Sequence, residues 1–213
     1  MKSDKAGVPG PIELHEPVFE TGGTLYAALK RRRTSREIGE EPLGLQVLSE
    51  ILWAAQGINR ESGPFGDPGR TAGSASNSRE ICIYVAMEEG TYIYEPGPHR
   101  LTPVAGGDTR ALAIGRAQQP SGALAPVRLV YVVDLERFES AGFDEPGLHD
   151  PEIQKSYYYV DTGLIAQNVY LACASLGLES WFHNCDREAL TKALGLEPHR
   201  LPLFGQTIGY ARD

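Results

Sequence analysis

Apolar residues recur at helical spacing in several stretches of this chain and cluster at strand length in others. After Gly22-Gly23, Thr24 can cap a helix carrying Leu25, Ala28 and Leu29 that ends in Lys30-Arg31-Arg32-Arg33. Following Pro42, the positions Leu45, Leu48, Ile51, Leu52 and Ala55 predict a second helix closed by Gly57. A short helix is expected around Arg110 to Ile114, the longest from about Lys155 to Leu176, and a last one from an Asp186 cap to Leu194. Strands are predicted at Ile81 to Ala86, at Val127 to Val133, at Leu178 to Phe182 and at Gln206 to Tyr210. A hairpin is expected where Thr91-Tyr92-Ile93-Tyr94 meets His99-Arg100-Leu101-Thr102 across Glu95-Pro96-Gly97-Pro98.

Val127 to Val133 is apolar enough to lie inside a sheet with both faces covered. Helices and strands mix without a regular βα alternation, so the pattern predicts an α+β fold over a doubly wound parallel sheet. The first 20 residues, rich in proline and glycine, read as an extended arm, and residues 21–213 as a single domain. Such an arm either frays or wraps a partner. The four polar and apolar positions Val160, Leu164, Gln167 and Asn168 fall with Leu171 on one face of the longest helix.

Composition narrows the picture. At 213 residues the chain is long enough for a core without staples, and 41% hydrophobic and 23% charged residues are those of an ordinary globule. A net charge of -8 argues against nucleic acid and against an anionic membrane surface as partners. No apolar run is long enough to span a bilayer, and Met1-Lys2-Ser3-Asp4 does not lead into a signal-peptide core, so a cytoplasmic location is expected. Cys82, Cys173 and Cys185 are scattered, form no CxxC pair and read as small buried hydrophobes; no metal site is expected.

Four segments can carry chemistry. Arg32-Arg33-Thr34-Ser35-Arg36, at a helix end, offers guanidinium forks and hydroxyls to a phosphate, although cations there more commonly complement the helix dipole. In Gly69 to Glu80, small residues lead into a strand; a flat ligand can lie on that backbone, with Ser74 and Asn77 reaching its polar edge, or the segment is a plain surface loop. It lacks the lysine of a P-loop and precedes a strand, which excludes nucleotide hydrolysis of that kind. Gln167 and Asn168, in an apolar helix, need partners when buried, and a helix-to-helix hydrogen bond is the commoner answer. Trp181 to Asp186 runs from a strand end into a helix cap, where backbone N–H groups can address a ligand; a lone histidine such as His183 is more often structural than catalytic.

Taken in order, these segments resemble the nitroreductase family of flavoproteins, in particular the branch similar to SagB-type dehydrogenases. The likeness runs from Arg32-Arg33-Thr34-Ser35-Arg36 and Leu52-Trp53-Ala54-Ala55-Gln56-Gly57 through Arg70 to Asn77, and on to Asp161-Thr162-Gly163, Gln167 to Leu171 and Ile208-Gly209-Tyr210. It implies a central, mainly antiparallel sheet flanked by helices, two interlocked subunits, and FMN held at the interface of a homodimer. By the same resemblance Arg32, Arg33, Thr34 and Arg36 would hold the phosphate and ribityl chain, with Arg212 completing that site. Gly73, Ser74, Ala75 and Asn77 would line the isoalloxazine from the other subunit; the backbone at His183 and Asn184 would face its N5 edge, and Gln118 its pyrimidine end.

The implied activity is hydride transfer from NAD(P)H to a small organic acceptor such as a quinone, nitroaromatic or enone, by a ping-pong mechanism. The alternatives are a SagB-like dehydrogenase of a peptide or small metabolite with oxygen as acceptor, and a flavin-binding protein without turnover. The family often has proline where Gly73 stands, glutamine at Arg79 and glycine near Asn184. Those departures bear on turnover and specificity, and Arg79 and His183 are candidate substrate contacts. The adjacent Lys-Tyr pair of the azoline-oxidising relatives has no counterpart, since Ser156 follows Lys155.

Overall fold

The computed structural model describes residues 7–20, 22–63, 65–121 and 125–212, and for 119–121 the backbone alone. In chain order it contains β1 (Ile12–Glu13), α1 (Leu25–Arg31), α2 (Leu45–Gln56), β2 (Ile58–Arg60), β3 (Gly69–Arg70) and β4 (Ile81–Ala86). There follow β5 (Gly90–Glu95), β6 (Arg100–Gly106), β7 (Val127–Asp134), α3 (Pro151–Leu176), β8 (Glu179–His183), α4 (Arg187–Leu194) and β9 (Arg200–Gly209). Seven strands form one antiparallel sheet in the order β1-β6-β5-β4-β7-β9-β8, and β2 pairs with β3 apart from it. The mixture of helices with an antiparallel sheet is the α+β architecture that the pattern predicts.

Strands β4 and β7 are buried at every position, which places them at the centre of the sheet. Their side chains alternate between two cores. Ile81, Ile83, Val85, Leu129, Tyr131 and Val133 face α2 and α3, while Cys82, Tyr84, Ala86, Val130 and Val132 join Leu190 and Leu194 of α4 on the opposite side. Each fully buried aliphatic side chain in these layers contributes roughly 1.5–3 kcal/mol of transfer free energy. All three cysteines are free and buried, as expected for small hydrophobes.

Helix α3 begins earlier than its apolar periodicity suggests. Asp150 caps it, accepting from the N–H groups of Glu152 and Ile153, and Pro151 occupies the first turn, where a missing N–H costs nothing. Gly177, at φ 76°, ends it in the left-handed conformation. The short helix expected at Arg110 to Ile114 is a turn instead: Leu112 and Ala113 both donate to the Thr109 carbonyl, and the Arg110 carbonyl accepts from the Arg128 guanidinium. The last strand starts six residues before the predicted Gln206. Pro202 fits inside it because a register shift between Tyr131 and Val132 of β7 falls opposite.

The described part of the N-terminal arm lies on its own subunit. Ile12 and Glu13 pair with Leu101 and Arg100, His15 N–H donates to Ser49 Oγ at 2.9 Å, and Phe19 meets Trp53 edge to face at 5.0 Å between centroids. The first six residues of the predicted arm lie outside the described residues. No helix among the described residues is long and apolar enough to cross a membrane.

Candidate functional site

The arginine-rich segment leaves α1 and runs beside the free edge of β8. Ser35 N–H donates to the Ser180 carbonyl at 3.1 Å, and Gly39 N–H to the Tyr210 carbonyl at 2.9 Å. Arg32 lies over the Tyr170 ring at 5.4 Å and Arg36 over the Trp181 ring at 5.0 Å, so two cations are held by aromatic faces, and neither has an ion-pair partner among the described residues. Thr34 Oγ1 and the Tyr170 hydroxyl are 3.1 Å apart, and that hydroxyl also accepts from Phe182 N–H at 2.8 Å. Tyr170 thereby joins α3, β8 and the arginine segment. Arg212 is stitched alongside through the carbonyls of Glu37 and Ile38. Arg33 differs from its neighbours: its fork is already taken by Glu179, at 2.5 Å.

From Glu179 to His183 the strand β8 carries the site about 13 Å onward. At its far end the Asn184 carbonyl accepts from Gly115 N–H and the Gly115 carbonyl from Gln118 N–H, each at 2.7 Å. These bonds set Gln118 beside the exposed Asn184. Among the described residues Gln118 Oε1 is buried without a hydrogen-bond partner. The His183 imidazole is buried, with Nε2 2.7 Å from Thr207 Oγ1 and Nδ1 2.9 Å from the Asn184 carbonyl. Burial lowers its pKa to about 4, so the ring is neutral. The His183 side chain, expected as a candidate substrate contact, is thus placed in the interior.

The small-residue loop sits elsewhere. Ala75 N–H donates to Asp161 Oδ2 at 2.8 Å, and Asn168 Nδ2 donates to the Thr71 carbonyl at 3.3 Å, so the loop lies along α3. Ser76, Asn77 and Arg79 have φ of 47°, 58° and 54°, left-handed values that are uncommon outside glycine and asparagine. Internal bonds hold this shape. Arg79 N–H donates to Ser74 Oγ at 3.0 Å, Arg79 Nε to Asn77 Oδ1 at 3.1 Å, and the same guanidinium to the Pro68 carbonyl at 2.9 Å. Arg79 thus braces the loop and also lines the cavity beneath it, and Ser74 and Asn77 are partly spent in the same bracing. Gly73 is exposed, and a Cβ there would meet nothing within 4 Å.

Beneath the loop lie two carboxyl groups that sequence reasoning passed over. Glu80 is fully buried, its Oε2 accepting from Ser78 Oγ at 2.7 Å, and its Oε1 has no hydrogen-bond partner among the described residues. Burial, followed by the neighbouring Asp161, raises its pKa to about 8; burial also raises that of Asp161. Glu80 accordingly holds a proton at neutral pH and the two carboxyls form a proton-sharing pair. A lone Glu80 in Arg79-Glu80-Ile81 gives no hint of this, because its partner lies 81 positions away in sequence.

Asp161 and Tyr170 are the anchors of the loop and of the arginine segment. Nine residues along a helix is about 14 Å and half a turn out of phase, so the two anchors point to opposite sides of α3. Within one chain the structure brings together Arg32, Arg33, Thr34, Arg36, Arg212, His183, Asn184 and Gln118 on the β8 side, and Gly73, Ser74, Ala75 and Asn77 on the other. It does not join the two groups. Between them, α3 and α1 leave apolar residues uncovered: Val160 and Leu164 are 60% and 48% exposed, and Leu25, Tyr26 and Leu29 are 60%, 83% and 47% exposed.

Comparison with known proteins bears on this arrangement. The family model described as the nitroreductase family matches residues 29–210. A protein of Methanocaldococcus jannaschii that carries the nitroreductase name is 34% identical over 161 residues, which cover 72% of this chain and 75% of that protein. A crystal structure from Ralstonia eutropha, also named for nitroreductase, superposes with a TM-score of 0.82 at 33% identity over 96% of this chain and 91% of its own. Nitroreductase A of Vibrio parahaemolyticus shares the fold, with a TM-score of 0.60 at 21% identity over 89% of this chain and 67% of its own.

Proposed function

The chain belongs to the nitroreductase family, a family of oxidoreductases, and from that premise we propose that it is an FMN-dependent enzyme passing hydride from NAD(P)H to a small organic acceptor as a homodimer. One observation carries the reading. The two halves of the candidate site lie on opposite sides of α3, and the surface between them is an apolar face left exposed by the described residues. Two copies joined through that face bring the loop of one against the β8 side of the other.

The residues fit the cofactor. Arg32, Arg36 and Arg212, all on the segments beside β8, are the cations offered to the phosphate, and Thr34 a hydroxyl for the ribityl chain. Gln118 Oε1 is an acceptor in want of a donor, which the N–H of a flavin pyrimidine provides. The exposed Gly73 backbone offers a surface with no side chain above it. Bound FMN would supply the two-electron redox chemistry, receiving hydride from the nicotinamide and giving it to the acceptor. The chain's part is to bind and orient: the arginines fix the phosphate, the left-handed loop presents rigid backbone, and His183 stays neutral and shapes the end of β8.

One binding space serving donor and acceptor in turn predicts ping-pong kinetics. With NADH or NADPH against menadione, double-reciprocal plots at several fixed acceptor concentrations give parallel lines. Intersecting lines, or no oxidation of either nicotinamide with menadione, a nitroaromatic or an enone, contradict the proposal.

A further inference from the structure

Three side chains that belong to neither half of the candidate site meet where the end of β7 lies beside the start of β9. Asp134 is the last residue of β7, Glu136 stands in the helical turn Leu135–Phe138, and His199 immediately precedes β9. Backbone pairing fixes their spacing: Asp134 lies opposite Arg200, and Leu135 N–H donates to the His199 carbonyl at 3.0 Å. One ligand atom from each of the three, an imidazole nitrogen and two carboxylate oxygens, lies within 4.8 Å of the other two. The imidazole stands between the carboxylates, with Nδ1 3.2 Å from Glu136 Oε1 and Nε2 3.7 Å from Asp134 Oδ1.

Asp134 supplies an independent sign. Its side chain is 6% exposed, and its Oδ1 is buried with no hydrogen-bond partner among the described residues. A buried carboxylate oxygen ordinarily has a donor or a metal ion against it. Two guanidinium groups stand close, but both address the other oxygen: Arg200 Nε is 3.1 Å and Arg137 Nε 3.7 Å from Oδ2. They orient the carboxylate and leave Oδ1 towards the imidazole, which is the part that outer partners play for a metal-ligating carboxylate.

Towards solvent, Glu136 and His199 line a pocket of about 380 Å³ with Glu139, His149 and Gln154. His149 Nε2 lies 2.8 Å from Asp144 Oδ1. The carboxylates of Asp134, Glu136, Glu139 and Asp144 thus exceed the guanidinium groups of Arg137 and Arg200, and a doubly charged cation is attracted on balance. A tetrahedral ion with nitrogen and oxygen ligands spaces them about 3.4 Å apart. Rotation of the Glu136 side chain, 67% exposed, closes the set to that spacing.

We propose that Asp134, Glu136 and His199 form a binding site for a divalent transition-metal ion of the zinc class, with a fourth position open to His149 or water. The imidazole selects such an ion over magnesium and calcium, which take oxygen ligands. Bound there, the ion staples the ends of β7 and β9 and stabilises the fold. The inference is independent of the flavin reading, since it uses no residue of that site.

The test is calorimetric titration of tag-free, chelator-washed protein with zinc chloride, with magnesium chloride as the comparison ion. Saturable uptake of about one zinc per chain, with a dissociation constant of about 10 µM or tighter and no competition from magnesium, is expected. His199→Gln and Glu136→Gln should each weaken zinc by about tenfold or more and leave the far-ultraviolet spectrum unchanged. His15→Gln, on the N-terminal arm, should leave zinc affinity unchanged. If His199→Gln does not fold, Glu136→Gln decides the matter, because that side chain is exposed. X-ray absorption at the zinc edge should show nitrogen and oxygen neighbours at about 2.0–2.2 Å and no sulfur. No saturable binding up to about 100 µM zinc, a shell containing sulfur, or equal affinity in wild type and in the folded variants, which would mark adventitious zinc only, would overturn the proposal.

Discussion

Arg33 and Arg36 stand three positions apart in one motif, yet the structure treats them differently. Arg36 rests on Trp181 and has no ion-pair partner among the described residues, whereas Arg33 is claimed by Glu179, a residue of β8 that sequence spacing does not connect to it. The motif was legible as a source of cations; which of them is already neutralised depends on a contact across 146 positions. Glu80 poses the same problem more sharply, and it carries a prediction. Its folded pKa is raised above the ordinary value of 4.5, so the native state binds the proton more tightly and stability falls as pH rises from that value towards about 8. His183 acts in the opposite sense, but only below its ordinary value of 6.5, because its folded pKa is lowered to about 4. Between pH 6.5 and 8 the effect of the Glu80–Asp161 pair is therefore separate from that of His183. Glu80→Gln keeps an acceptor for Ser78 and removes the titration. Its melting temperature should exceed that of wild type near pH 8 and approach it near pH 5, measured by circular dichroism; parallel curves across that range would contradict the proton-sharing pair.

At the scale of elements, periodicity recovered most of the fold. The edges that it missed have local causes. Pro151 reads as a break until Asp150 is seen to cap the helix it opens, and Pro202 reads as a strand stop until the shift in β7 accommodates it. Arg110 to Ile114 has helical composition, but its carbonyls are used by a turn and by Arg128. Helix α3 was legible in length and hard to read in orientation, because it is apolar on two sides. One side, with Ile165, Ala166, Val169 and Cys173, enters the core; the other, with Val160 and Leu164, is left outward. The outward side carries the dimer in our account. Leu164→Glu places a carboxylate in that face in both copies. Sedimentation should show a folded monomer, with the dimer weakened on the order of a hundredfold, and the loss of the dimer should carry bound flavin with it. A variant that remains dimeric would assign the interface elsewhere.

At the scale of the molecule, the order of motifs along the chain pointed to the family, and the match over residues 29–210 agrees. What order cannot convey is which motifs meet. The loop and the arginine segment are separated by α3 within one subunit, a fact visible only once Ala75 is found on Asp161 and Thr34 on Tyr170. A cofactor bridging two copies would join them, and the most direct measurement is the visible spectrum of the purified protein, with the released chromophore identified by mass and counted against chain. The prediction is a yellow protein releasing about one FMN per chain. A colourless protein that takes up no added FMN would contradict it.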